Sequence, residues 1–111
     1  MTDFSYLNVD NAYKLINQKV TKTPLVTNDY INNLLEAEIY FKLENLQNTG
    51  SFKLRGATHK ITKLIETVKD SGVVAYSSGN HAQAVAYASM INTISAKIIM
   101  PKTAPQIKIE N

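Results

Sequence analysis

Apolar positions recur at two periods along this chain, and the switches between them predict its elements. Val9, Ala12, Tyr13, Ile16 and Val20 fall at helical spacing, so the first element is an amphipathic helix with Asn8 or Asp10 near its start. Thr23-Pro24 ends it, because the residue before a proline avoids helical angles. Leu25-Val26 reads as a short strand, residues 30–35 as a brief helix, and the β-formers of residues 37–43 as a longer strand. Residues 45–50 form a polar loop, with Ser51 as N-cap of the next helix. There Leu54, Ala57, Ile61, Leu64, Ile65 and Val68 draw one continuous apolar stripe, the clearest periodic signal in the chain. Asp70-Ser71-Gly72 closes that helix, and residues 73–76 (VVAY) read as a buried-type strand. A turn of Ser77, Ser78, Gly79 and Asn80 leads into a helix of small residues from about His81 to Met90. Residues 96–100 are another strand, and Pro105 opens a last helix.

Helices alternating with strands imply βαβ units, hence an α/β fold with a mainly parallel sheet and helices on both faces. At 111 residues the chain holds one small domain with a modest core. No internal repeat or low-complexity linker is visible. A chain this short buries a limited fraction of its surface, so Leu54, Ile61, Leu64, Ile65 and the alanines at 82, 84, 86 and 88 are expected to need a partner surface. A homodimer or larger homo-oligomer is the expected state, helped by any open sheet edge.

Composition narrows the classes. With 44% hydrophobic and 19% charged residues, the chain is globular in type and not disordered. The net charge of +3 comes from scattered lysines and a single arginine, Arg55, so no basic face points to nucleic acid. The absence of cysteine excludes disulfides, thiolate metal sites and cysteine nucleophiles, and is compatible with a reducing cytoplasm. The opening MTDFSYLNVDNAY lacks the basic and apolar regions of a secretory signal, and no apolar run approaches the roughly 20 residues that span a bilayer. A cytoplasmic chain without membrane or nucleic-acid partners is the expectation.

Two passages offer chemistry. FKLENLQNTGSFKLRGA places Lys53 in the first turn of a helix, just after a loop containing Gly50. A helix N-terminus carries partial positive charge, which works against an ammonium and favours the neutral amine that attacks an aldehyde. A solvated lysine tolerating a small dipole penalty fits the same spacing. VVAYSSGNHAQAVAYAS runs a strand into a Ser77-Ser78-Gly79-Asn80 turn at a helix start, where backbone N–H groups and hydroxyls suit a carboxylate. The turn also lies at the C-terminal end of a strand, where open α/β sheets place ligands. An ordinary capping turn remains the alternative. His81 reads as an acid/base or a structural histidine, and His59 as a solvent-facing one. Two histidines and no cysteine leave no metal constellation, and four dispersed glycines form no phosphate loop. The six tyrosines make no regular face and read as packing residues.

Taken together, LENLQNTGSFKLRGA, SSGNHAQAVAYAS and MPKTAPQIK, with the earlier Thr23-Pro24-Leu25, resemble the fold-type II (tryptophan synthase β-like) pyridoxal-phosphate enzymes. The serine/threonine dehydratase and serine racemase branch is the most similar. The resemblance runs from about residue 9 to the end and implies the N-terminal fragment of such an enzyme across residues 1–111, an incomplete version of that architecture. It implies pyridoxal phosphate as cofactor and a small amino acid as substrate. Lys53 matches the lysine that holds the cofactor as a Schiff base and later moves the substrate α-proton. Phe52 matches the aromatic residue on the cofactor ring, and Asn80 the asparagine that bonds the cofactor 3′-oxygen. Ser77, Ser78, Gly79, Asn80 and His81 match the loop that receives the substrate carboxylate. Ser78 also matches the acid/base serine of the racemases, which dehydratases share. The implied reaction converts L-threonine or L-serine to a 2-oxo acid and ammonia, with racemisation as the alternative. The family's glycine-rich phosphate loop and pyridine-nitrogen partner have no counterpart here, and IKIEN interrupts a helix that the family continues. The isolated chain is therefore expected to be inactive.

Overall fold

The structure, a computed structural model, describes residues 5–110. Met1 to Phe4, the start of the stretch read as lacking a secretory signal, and Asn111 of the terminal IKIEN lie outside the described residues. In chain order the elements are α1 (Tyr6–Ile16), β1 (Leu25–Thr27), α2 (Asp29–Leu35), β2 (Tyr40–Lys42), a 3-10 turn (Glu44–Leu46), α3 (Lys53–Lys63), α4 (Ile65–Val68), β3 (Val73–Tyr76), α5 (Asn80–Ile91), β4 (Ala96–Ile99) and α6 (Gln106–Glu110).

The core is a stack. Helix α1 lies on α3, α3 on α5, and α5 on the β3–β4 pair. Leu54, Ala57 and Ile61 of α3 meet Ala84, Val85 and Ala88 of α5 in one cluster closed by Ile16, Val20 and Ile94. The alanines let the two helix axes approach closely, and the large side chains come from α3 and the flanking loops. Leu54, Ile61, Ala82, Ala84 and Ala88 are thus buried within the chain itself, which corrects the expectation that they need a partner.

The parallel pairing expected for the fold is present in β3–β4, in register Val73↔Ala96 through Tyr76↔Ile99. The other pair, β1–β2, is antiparallel. Only one face of β3–β4 is packed among the described residues: Val73, Ala75 and Ile98 turn to the core, while Val74 and Tyr76 are 69% and 74% exposed. Strand β3 therefore alternates and is not of buried type. The class is an α/β fold left incomplete, with a bare sheet face where a second helical layer is expected.

Several boundaries shift for local reasons. Ser5, not Asn8 or Asp10, stands before α1. Ser51 does not cap α3: Phe52 holds that position with helical angles already, and Ser51 is buried with no partner for its hydroxyl. The stripe after Leu54 breaks once, at Leu64 (φ −101°, ψ 13°), yet Ile65 and Val68 still reach the core from α4. The strand expected over residues 37–43 pairs only at Tyr40–Lys42, because the preceding residues close α2. Glu36 is left-handed (φ 48°), Ala37 N–H donates to Asn32 O at 3.1 Å, and Ile39 N–H donates to Asn32 Oδ1 at 2.9 Å. Tyrosines 6, 13, 30, 40 and 76 are exposed, so among the six only Tyr87 joins the core cluster.

Candidate functional site

Lys53 is the first residue of α3, and a polar clamp fixes the loop that delivers it. Gln47 is buried and folds its amide onto the backbone of Thr21: Thr21 N–H donates to Oε1 at 2.9 Å, and Nε2 donates to Thr21 O at 3.0 Å. Asn48 N–H donates to the same Oε1 at 3.1 Å. Gly50 then turns the chain with φ +67°, its N–H donating to Gln47 O at 2.7 Å, a backbone angle that glycine adopts without steric cost. Two residues past Lys53, Arg55 reaches back to the 3-10 turn. Its Nε donates to Glu44 Oε2 at 2.9 Å and its Nη2 to Oε1 at 2.7 Å, a forked ion pair of the stronger kind. Nη2 also donates to Thr21 O at 3.1 Å, and Thr23 Oγ1 donates to Glu44 Oε1 at 2.5 Å. The Arg55 hydrogen bond holds the Glu44 carboxyl below its usual range. Burial opposes this, while the Thr23 hydroxyl and the charges of Arg55 and Lys42 assist it.

Held this way, Lys53 and Phe52 face outward. Phe52 is 59% exposed, and the Lys53 amine stands 5.0 Å from its ring centroid. A reachable amine beside a flat apolar face is a donor set that suits an aromatic aldehyde: one forms the covalent link, the other covers a ring.

The second passage sits where β3 ends. Ser77 N–H donates to Ile99 O at 3.2 Å, carrying the β3–β4 pairing one residue past the strand. Gly79 N–H turns back to Ser77 Oγ at 3.2 Å, and Gly79 precedes α5 without capping it by a side chain. Ser77, Ser78 and Gly79 are half-buried, and Asn80 and His81 are exposed in the first helical turn. The turn thus stands at a helix start, where partial positive charge suits a carboxylate. Lys53 and the turn therefore head two helices, α3 and α5, that pack on one another.

The sequence reading passed over the Glu44–Arg55 clamp. Its signal was available: a single arginine in a lysine-rich chain marks a site where forked geometry matters. His59 also departs from expectation, being half-buried beside a groove lined by α1. Among the described residues no cluster of His, Asp or Glu is arranged to hold a metal. None of their helices is long and apolar enough to cross a membrane.

Comparison with known proteins sets this geometry in context. Serine racemase of Dictyostelium discoideum is 44% identical over 98% of this chain and 34% of its own length. The biosynthetic L-threonine dehydratase IlvA of Lactococcus lactis is 52% identical over 91% of this chain and 24% of its own. In structure, the crystallised Dictyostelium serine racemase superposes with a TM-score of 0.88 at 45% identity, over 94% of this chain and 34% of that one. The processed form of threonine deaminase isoform 2 from Solanum lycopersicum gives 0.79 at 35%, over 98% and 31%. The chain thus spans about a third or less of the length of these relatives. The family model described as pyridoxal-phosphate dependent enzyme matches residues 16–111, and the chain belongs to that family.

Proposed function

We propose that residues 1–111 form the lysine-bearing N-terminal part of a cytoplasmic pyridoxal-phosphate-dependent dehydratase acting on L-threonine or L-serine. The observation that carries the reading is the 52% identity with a threonine dehydratase across 91% of this chain, which includes the Lys53 and Ser77–Asn80 passages. The 44% identity with a serine racemase keeps racemisation as the second reading.

In this reading the Lys53 amine would hold the cofactor aldehyde and would serve as the base for the substrate α-proton at Nζ. The bound cofactor supplies the electron sink. Phe52 would cover its ring, the Asn80 amide would hold the 3′-oxygen, the Ser77–His81 turn would take the substrate carboxylate, and Ser78 would be the second acid/base. In this reading Lys53 and the turn serve one ligand, each heading one of the two packed helices α3 and α5. The four glycines are dispersed and supply no phosphate loop, so this chain alone is expected not to turn over substrate.

Borohydride reduction of the chain with pyridoxal phosphate, followed by peptide mapping, tests this. The expected label falls on Lys53, disappears in Lys53→Ala, and shifts the amide resonances of Ser77–His81 more than those of β1–β2. No 2-oxo acid accumulates from threonine or serine. Label spread evenly over the lysines, or steady turnover by the isolated chain, contradicts the proposal.

A further inference from the structure

Lys53 begins its helix with a charge that no anion answers. Among the described residues the ion pairs engage Lys14, Arg55 and Lys69, and none engages Lys53. The first turn of α3 contains no acidic residue. Glu44 is the one carboxylate between residues 39 and 65, and it is taken by Arg55 and the Thr23 hydroxyl. A helix start adds partial positive charge of its own, which disfavours an ammonium there.

What answers the charge is a ring. The Lys53 amine stands over Phe52 at 5.0 Å from the ring centroid, inside the roughly 6 Å over which an aromatic face attracts a cation. Among the described residues no other lysine stands over an aromatic ring. At an exposed site this attraction and the dipole penalty are of similar size and opposite sign. The backbone beneath the pair is fixed on both sides. Ser51 before it and Leu54 after it are buried, and Phe52 already has helical angles (φ −63°, ψ −16°).

We propose that the Phe52 ring is the seat of the Lys53 ammonium in the free chain, and that a planar aromatic aldehyde takes over the same ring face. One face cannot cover both at once. The seated ammonium has no lone pair, so it must leave the ring and give a proton to water before it can attack. The neutral amine then adds to the carbonyl carbon, and one water departs as the C=N bond forms. Phe52 is thus a positioning residue for Lys53 as well as a cover for the incoming ring. The seat stands independently of the catalytic reading, whereas the exchange rests on that reading of Lys53.

Two reductive labellings of the 111-residue chain at neutral pH test this, with the exposed Lys60 and Lys63 of the same helix as internal references. Formaldehyde with cyanoborohydride carries no ring, so it reports only how freely the Lys53 amine is released. Its rate at Lys53, relative to the references, is expected to rise about two- to fivefold in Phe52→Leu. Phe52→Tyr keeps the aromatic face and should keep the parent ratio. Pyridoxal phosphate with cyanoborohydride should move the other way, with the Lys53 share falling in Phe52→Leu. Circular dichroism checks that both variants of this exposed position keep the parent helicity. An unchanged or lowered formaldehyde ratio in Phe52→Leu overturns the seat. Pyridoxal phosphate labelling that rises together with formaldehyde labelling overturns the exchange. Pyridoxal phosphate label spread evenly over the parent's lysines overturns the exchange along with the catalytic reading, and the formaldehyde ratio still decides the seat.

Discussion

At the scale of single residues, the Glu44–Arg55 pair shows how a position remote from the chemistry sets the chemistry's geometry. Both side chains are largely buried, with 16% and 26% of their surfaces exposed, so the pair is better shielded from water than a typical surface bridge. Glu44→Gln keeps the shape but leaves the guanidinium facing a neutral amide, and we expect a loss of roughly 1–3 kcal/mol in stability. The pH dependence follows from the direction of the shift. The folded carboxyl titrates below its unfolded value of about 4.3, so its contribution is complete above that pH and is lost as pH falls through the lowered folded value. Thermal melts from neutral pH to about pH 3 should fall more steeply for the parent than for Glu44→Gln. Parallel melting curves would mean that the pair contributes nothing. Of the residues around Lys53, the sequence displayed those with chemical type, such as the amine, the aromatic ring and the Ser-Gly-Asn turn. Gln47, Thr21 and Glu44 act through backbone and buried contacts between segments distant in sequence, and no local period encodes those.

Among the elements, periodicity located nearly every one, and the misplacements share a cause. Each boundary that moved is set by a hydrogen bond outside the pattern of apolar residues. Asn32 uses both its backbone carbonyl and its side chain to close α2, which shortens the following strand to three residues. Leu64 splits its N–H between Lys60 O and Ile61 O, which interrupts the stripe without removing its later members from the core. Glycines show the same dependence on context. Gly72 has φ +76°, and a Cβ there would lie 2.6 Å from Ser95 O, the carbonyl that starts the β3–β4 pairing. Gly56 lies inside α3 with nothing within 4 Å of an added Cβ. Gly72→Ala should therefore cost roughly 1–3 kcal/mol, whereas Gly56→Ala should stabilise by about 0.5–1 kcal/mol. Urea midpoints moving in the same direction for both would refute this account.

For the whole molecule, the sequence conveyed the class of fold but not its degree of closure. Alternation of helices and strands reads the same whether the sheet is small or large, so the bare outer face of β3–β4 left no mark on the pattern. Val74 and Tyr76 looked buried because strands of this composition usually are. The two-stranded pairing has a consequence for solvent exchange. Each strand has a single neighbour among the described residues, so backbone N–H groups point by turns into the ladder and away from it. Deuterium should therefore enter β3 and β4 at every second amide within the dead time of the measurement. The amides of α3 and α5, enclosed by Leu54, Ile61, Ala84 and Ala88, should retain protons until the chain opens as a whole. Uniform protection along the strands would mean that something covers both edges of the sheet.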